Sequence, residues 1–521
     1  MPKSKIDNQH MPNINTQPPI TPKKADLMSK YTAAKYTSPL LVNHSARSRL
    51  ITRVLMVAGL CCTLLACSKP QATQETPEAA KTIINNVNIV DPVYGLATQQ
   101  QVVIQEDKIV YVGPVDEASG ATNSNDTDEI VDATGQFLIP GLWDMHVHFL
   151  YDEALTDVMP ELFLRYGVTS VRDTGGDVKK LASLREKLKD TPAPRIYFSG
   201  PLLDGKFVVY DGSDPSRPPL GTGVSGAESA MATVTALKSA GADFIKIYEL
   251  IDPATYNSLA AAAKQLEMPI ASHVPLMMTA DVAGPIAGSM EHLRNIELAC
   301  AANWQDLLAQ RQAKITGFTE GLGHTLRSEL HSAQRIPAIK AYDEARCNEV
   351  LDTLTNTIQV PTLRLNTVLM LTPFERADWP EAATALPQNV LENWQARINL
   401  LSANSLDIDH TFANWSQFLI ARLLERGVPI GAGTDTPIGL GIPGYSLHTE
   451  LELLVASGMS TQQALFSATV TPAKFLGLED TMGQIKVGMA ADLVLLSGNP
   501  LENIQHSRSI TQVMSKGLWV E

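Results

Sequence analysis

Short runs rich in Val, Ile and Leu punctuate this chain, and their spacing changes character three times. Residues 82–90, 101–104 and 108–113 follow one another with only turn-length gaps and predict consecutive β-strands. Residues 137–141 lead into a further strand, 141–149. Beyond it the runs 168–173, 195–199, 244–248, 270–273, 289–292, 359–363 and 430–435 are separated by helix-length segments such as 254–265 and 416–427. Eight strands with intervening helices predict an α/β fold, a (β/α)8 TIM-like barrel, over residues 141–477. The stretch 300–358 is too long for an ordinary connection and is expected to be a helical insertion over the barrel mouth. Helices are predicted at 447–457 and 461–468, and β-like runs return at 483–486, 492–496 and 510–516. Chain ends often lie close together, so residues 82–140 and 478–521 are expected to form one discontinuous β-sandwich domain.

The first part of the chain does not share these patterns. Residues 1–49 are polar and lack apolar periodicity. Arg47, Arg49 and Arg53 then precede an apolar run, 54–66, that falls short of the ~20 residues needed to span a bilayer. A basic flank and a short apolar core are the layout of a secretory signal peptide, placing the signal region at 1–66. The run ends in Leu64-Leu-Ala-Cys67, which resembles the bacterial lipobox, and this implies lipidation at Cys67. The alternative is an ordinary signal peptide cut nearby. Ser68 rather than Asp follows, which in lipoproteins favours the outer membrane, on the periplasmic side. Residues 67–81, rich in Ala, Thr, Gln, Glu and Pro, are expected to be a lipidated tether. The segment before Ala46 is long for a signal peptide, and Met28 offers a second start.

Charge narrows the function further. Of 41 basic and 55 acidic residues, nine and two fall in residues 1–66, leaving a net charge of −21 on the rest. Such a surface repels phosphate backbones, so no nucleic-acid partner is expected. Cys61 and Cys62 lie in the signal region. The two cysteines left in the exported part, Cys300 and Cys347, are expected to form a disulfide, with two buried thiols as the alternative. A homo-oligomer is left open.

The chemistry sits at strand ends. His146 and His148 lie in Trp143-Asp-Met-His-Val-His148, and strand alternation points both the same way. Lys246 and Tyr248 share a face in Phe244-Ile-Lys-Ile-Tyr248; His273, His292 and Asp435 end three further runs. Side chains at the C-terminal ends of barrel strands converge on one mouth. Imidazole and carboxylate suit zinc and similar divalent ions. A lone His-x-His is weak evidence, but His on three strand ends with an Asp in Gly433-Thr-Asp435 predicts a metal site. Lys246 is the misfit, because a buried ammonium beside a dication is costly. Either it pairs with a barrel carboxylate, or its amine takes up carbon dioxide to give an anionic carbamate that bridges two metals. The carbamate is preferred, since the other five ligands would leave two cations under-neutralised.

These residues resemble the amidohydrolase superfamily, in its imidazolonepropionase-like and prolidase-like branch of metal-dependent hydrolases. The resemblance runs from about residue 82 to the end. It rests on Pro140-Gly-Leu-Trp-Asp-Met-His-Val-His148, Gly241-Ala-Asp-Phe-Ile-Lys246, Ser272-His273, Glu291-His292, Gly433-Thr-Asp435, Ala468-Thr-Val-Thr-Pro-Ala473 and Gly488-Met-Ala-Ala-Asp-Leu-Val494. It implies a β-sandwich flanking the barrel. It implies that His146, His148 and Asp435 hold the more buried of two divalent ions, expected to be zinc. His273 and His292 would hold the second, with carboxylated Lys246 and a hydroxide bridging them. Some members of the family work with one metal. The resemblance further implies that Asp435 takes the proton of the attacking water and passes it to the leaving group.

Other residues carry alternatives. Tyr248 is expected either to donate to the developing oxyanion or to pack as an aromatic. Arg294 is expected to bind a substrate carboxylate or a nearby Glu. His448, in Tyr445-Ser-Leu-His-Thr-Glu450, is expected to touch substrate or to cap its helix. Arg172 and Asp173 are expected to make structural contacts under the mouth. The expectation is an exported, lipid-anchored, metal-dependent amidohydrolase acting on the C–N bond of a small amide, cyclic amide or dipeptide-like substrate. The alternatives are a lactone or organophosphate hydrolase on the same centre, a non-catalytic metal- or ligand-binding surface lipoprotein, and a structural envelope protein.

Overall fold

The computed structural model describes residues 79–115, 127–214, 217–403 and 409–521. The expected signal region, Cys67 and the tether up to residue 78 lie outside the described residues. Strands β1 (Lys81–Asp91), β2 (Gly95–Gln105), β3 (Lys108–Pro114), β4 (Glu129–Asp132) and β5 (Phe137–Pro140) come first. Strands β6 (Leu142–Val147), β7 (Val168–Asp173) and β8 (Arg195–Phe198) follow, then β9 (Leu202–Asp204) and β10 (Gly221–Gly223). Next are β11 (Ile245–Ile247), β12 (Ile270–Ser272), β13 (Ser289–Glu291) and β14 (Ile358–Val360). The chain closes with β15 (Leu493–Leu496), β16 (Ile510–Ser515) and β17 (Leu518–Trp519).

One sheet gathers both ends of this set, in the order β17-β16-β15-β5-β1-β2-β3, with β4 paired to β1. Period-two alternation explains why β15 ties the molecule together. Leu493 and Leu495 point into the sheet's own core with Ile84, Val102, Ile104 and Leu138. Val494 and Leu496 point the other way, into the main core. Each such fully buried aliphatic side chain contributes about 1.5–3 kcal/mol. The strand expected at 483–486 does not form. Gly483 and Gly488, with φ of 92° and 91°, turn the chain there, while Ile485 and Met489 still insert into the sheet's core.

The middle of the chain is parallel sheet. Strands β6-β7-β8 form one run and β10-β9-β11-β12-β13-β14 another. Their residues are almost all buried, as parallel strands covered on both faces must be. Backbone links continue between the runs. The Asp243 amide donates to the Phe198 carbonyl at 2.9 Å, and parallel bridges join Gln359 to Ile430 and Val147 to Thr436. The run expected as a strand at 430–435 forms one bridge, at Ile430, and is otherwise tied to its neighbours by single backbone bonds such as Met145 N–H to the Ala432 carbonyl and Asp435 N–H to the His146 carbonyl. Helices follow the strands, among them Gly226–Ser239 and Pro253–Gln265; Asp252 caps the latter by accepting from the Ala254 and Thr255 amides.

Residues 304–353 carry three helices, α1 (Trp304–Thr316), α2 (Gly323–Lys340) and α3 (Glu344–Thr353). A further excursion was not anticipated: Leu363–Asn366, Trp379–Ala383 and Gln388–Ala403 are also helical. A disulfide joins Cys300 to Cys347 across 47 positions. Closing a loop of that size restricts the unfolded chain by about 4 kcal/mol. Cys300→Ser is therefore expected to lower the unfolding free energy by about 2–4 kcal/mol, read from chemical denaturation under non-reducing conditions. A parent-like midpoint would contradict a stabilising role for this crosslink.

Candidate metal centre

Residues from several strand ends meet at one cavity of about 140 Å³. It is lined by His146 and His148 from the β6 end, Lys246 and Tyr248 from β11, His273 after β12, His292 and Arg294 after β13, and Asp435. Parallel strands bring positions almost three hundred residues apart to one place because every strand ends on the same side. His146, His148 and Asp435 offer ligand atoms all within 4.8 Å of one another. His273 and His292 line the same cavity outside that group. The imidazoles nonetheless form a continuous row: ring centroids are 5.2 Å apart for His148 and His146, 4.6 Å for His146 and His292, and 4.8 Å for His292 and His273. His292 and Asp435 have φ of 65° and 61°, left-handed values that non-glycine residues rarely adopt. Such local strain is typical where side chains must be aimed.

Hydrogen bonds set which ring nitrogen faces the cavity. His146 Nδ1 lies 2.6 Å from Glu291 Oε2, and His273 Nδ1 lies 2.7 Å from Glu249 Oε1. A carboxylate can only accept, so each Nδ1 carries a proton and donates it. His292 Nδ1 pairs with the Thr362 hydroxyl at 2.7 Å, a group that both donates and accepts. Burial, reinforced by Lys246, pushes His273 down to about 3, and burial with Arg294 holds His292 well below the ordinary imidazole range. Both are neutral and available as ligands.

The donor set fits a cation. Asp435 Oδ1 stands 3.2 Å from His146 Nε2 and 3.1 Å from His148 Nε2. Two imidazole nitrogens and a carboxylate oxygen packed this closely and this deeply are a donor set that a divalent ion between them would suit. Burial opposes the charge on Asp435, yet the imidazoles around it, His148 hydrogen-bonded to it among them, hold it well below the usual carboxylate range. Lys246 is fully buried, and its Nζ has no hydrogen-bond partner among the described residues. Its nearest anion is Glu291 Oε1 at 3.7 Å, and burial lowers its pKa to about 8. Both readings of Lys246 therefore keep a physical basis: a carboxylate stands nearby, and the amine is poorly satisfied.

Glu291 is the hub under the mouth. Arg172 Nη2 donates to it at 2.7 Å, and the same guanidinium donates to the Met145 carbonyl and to Ser289 Oγ. Burial pushes the Glu291 carboxyl up, but Arg172 and Lys246 hold it well below its ordinary range. Arg172 thus makes the structural contact expected of it. Asp173 does the same, accepting from the Phe149 and Gly175 amides.

Tyr248 and Arg294 both reach the cavity. Burial raises the Tyr248 phenol well above its usual range, so it stays protonated and can donate. His448 does not reach the cavity. Its Nε2 bonds to the Tyr166 carbonyl at 3.0 Å and its Nδ1 to Ser507 Oγ at 2.8 Å, so both nitrogens are engaged in packing the Tyr445–Ala456 helix. The substrate-binding role expected of it is corrected accordingly. The sequence reading also missed Glu249, Thr362, Arg327 and Tyr210. Arg327 and Tyr210 line the cavity, Arg327 from α2 of the insertion.

Residues 402–520 match the amidohydrolase family. An imidazolonepropionase from Thermoplasma acidophilum is 32% identical over 87 residues, 16% of this chain and 20% of that protein. The chain thus spans about a fifth of the length of the curated relatives it matches. An ochratoxinase from Aspergillus niger is 33% identical over 99 residues, 18% of this chain and 20% of that protein. Its solved structure superposes over 85% of this chain and 96% of that one, with a TM-score of 0.58 and 19% identity. A solved Xaa-Pro dipeptidase covers 85% of this chain and 100% of that one, with a TM-score of 0.59 and 22% identity. Residues 402–520 match the amidohydrolase family, and the chain shares a TIM-barrel-like α/β fold with these solved structures.

Proposed function

We propose that this protein is a metal-dependent amidohydrolase that hydrolyses the C–N bond of a small amide, cyclic amide or dipeptide-like substrate. The observation that carries the proposal is the convergence of four imidazoles, Asp435 and an unsatisfied buried Lys246 on one small cavity. His146, His148 and Asp435 would hold one divalent ion, and His273 and His292 a second, with zinc the expected metal. Lys246 would bridge them after its neutral amine adds to carbon dioxide and releases a proton, forming a carbamate. Divalent ions in such a site lower the pKa of water and polarise a scissile carbonyl.

The chain's own residues account for the rest. Asp435, ionised and at the cavity wall, accepts the proton of the attacking water and returns it to the leaving nitrogen. Tyr248 donates its phenolic hydrogen to the oxygen that gains charge. Arg294 lines the same cavity, beside the apolar walls of Leu202, Leu220, Leu365 and Ile438, and would meet a substrate carboxylate. A cavity of about 140 Å³ is about the size that accepts a group as large as a benzene ring. We read the parallel strands as a closed (β/α)8 barrel, residues 141–477, flanked by the sheet built from residues 82–140 and 478–521. Export and a lipid anchor at Cys67 belong to the proposal on the sequence motif alone.

Elemental mass spectrometry of the purified protein is the test. Two divalent ions per chain are expected, falling to one or fewer in Lys246→Ala, and chelation is expected to abolish hydrolysis across a panel of small amides and dipeptides. A protein that binds no metal even after exposure to zinc and bicarbonate would remove the hydrolase reading.

A further inference from the structure

Helix α2 of the insertion presents Arg327, His331 and Arg335 at intervals of four, on one face. That face turns toward β11 and meets Glu249, which is fully buried. Glu249 Oε2 accepts from His331 Nε2 at 2.5 Å, and its Oε1 accepts from both Arg327 Nη2 at 2.8 Å and His273 Nδ1 at 2.7 Å. His331 Nδ1 in turn faces Arg335 Nη2 at 3.0 Å. The direction of every bond in this row is determined. A guanidinium only donates, so His331 Nδ1 accepts and its proton sits on Nε2. Glu249 takes that proton's hydrogen bond on one oxygen and the His273 Nδ1–H on the other. The lone pair of His273 Nε2 is thereby left free at the cavity.

We infer that the insertion is part of the metal site itself: His331, acting through Glu249, positions His273 as a ligand of the second metal. The inference rests on the metal-centre reading above and deepens it.

A buried carboxylate is an expensive way to hold a ring in place, since its charge must be fully compensated. It becomes advantageous when a positive ion sits at the ring's other nitrogen, because a carboxylate behind a ligating imidazole raises the ligand's basicity and fixes its orientation. A second set of contacts points to the same role. Arg311 on α1 donates to Asn295 Oδ1 at 2.9 Å and to Gln334 Oε1 on α2 at 2.5 Å. Asn295 stands three residues after His292, and its Nδ2 donates to the Val274 carbonyl at 2.9 Å, one residue after His273. The insertion therefore grips the chain just beyond both second-site histidines, while the residues that follow β6 and Asp435 are held by other elements. His331 and Glu249 touch neither cavity nor substrate; they are positioning residues.

The test compares the full-length protein with His331→Phe and His331→Gln, all checked for folding by circular dichroism. Zinc affinity is measured by competition with a chromophoric chelator, and the cobalt-loaded forms by visible absorption. In His331→Phe the weaker of the two zinc equivalents is expected to bind about 10- to 100-fold less tightly, with the tighter one unchanged and the cobalt spectrum altered. His331→Gln, whose amide N–H can donate to Glu249, is expected to recover part of that loss. Parent-like affinities in both variants overturn the inference and leave the metal-centre reading standing. An equal loss in both overturns it too, since that is the result of lost packing alone. A parent holding a single ion has no second site to support and also overturns it. A parent that binds no metal removes this inference and the metal centre together.

Discussion

An Asp435→Asn protein is expected to turn over at least about a thousandfold more slowly than the parent. General acid–base transfer alone contributes about 10²–10⁴. Asp435 is also the shared neighbour of two imidazole nitrogens at 3.1 and 3.2 Å, so its loss weakens a ligand set as well as a proton carrier. The amide of Asn cannot take a proton from water at neutral pH, and it brings no negative charge to a cation site. Two measurements separate these causes. If elemental analysis shows metal retained while kcat falls, the loss is that of the proton carrier. If metal falls too, restoring it with excess zinc is expected to recover occupancy without recovering kcat. A fully loaded variant with near-parental kcat would show that another group moves the proton.

The residues that line the cavity were legible because strand periodicity is simple. In a parallel sheet the last residues of each apolar run face one mouth, so His146, His148, Lys246, His273, His292 and Asp435 could be assembled from their positions alone. What lay beneath them was less visible. Glu291 stood in the sequence beside His292, and Glu249 beside Tyr248, each a carboxylate attached to a run that reads as buried strand. A charged residue in such a place needs a partner, and that was the available signal. Its identity was not available: Arg172 lies 119 positions from Glu291, and His331 lies 82 from Glu249. Periodicity within one element carries no information on which distant element packs against it. Helix α2 illustrates the limit, since the four-residue spacing of Arg327, His331 and Arg335 reads equally well as a solvated stripe. His448 was misjudged for a related reason. It follows the last strand closely enough to suggest the mouth, but the turn of its helix directs it to Tyr166 and Ser507 instead. The strand expected at 483–486 failed on local chemistry, because two left-handed glycines bracket it.

Arg172→Met is expected to cost about 3–5 kcal/mol of stability, the largest loss expected from any single substitution outside the ligand set. Arg172 is 1% exposed and packs against the rings of Phe244 and Phe475, with its carbon 5.4 and 4.4 Å from their centroids. Methionine can fill that apolar slot, so the cost comes from polar groups left behind. The Met145 carbonyl and Ser289 Oγ each lose a donor, and Glu291 keeps its charge with Lys246 as its remaining close cation at 3.7 Å. That remaining pair has a functional consequence. An amine drawn toward Glu291 as an ammonium cannot add to carbon dioxide, so Arg172→Met is also expected to hold less metal. Adding Glu291→Gln removes the stranded charge and is expected to return part of the stability, but not the metal, because His146 then loses its anionic acceptor. Urea denaturation and elemental analysis of the single and double variants measure both effects. A single variant as stable as the parent would mean that Glu291 is protonated or solvated in the folded protein, and the hub role assigned to it would fall.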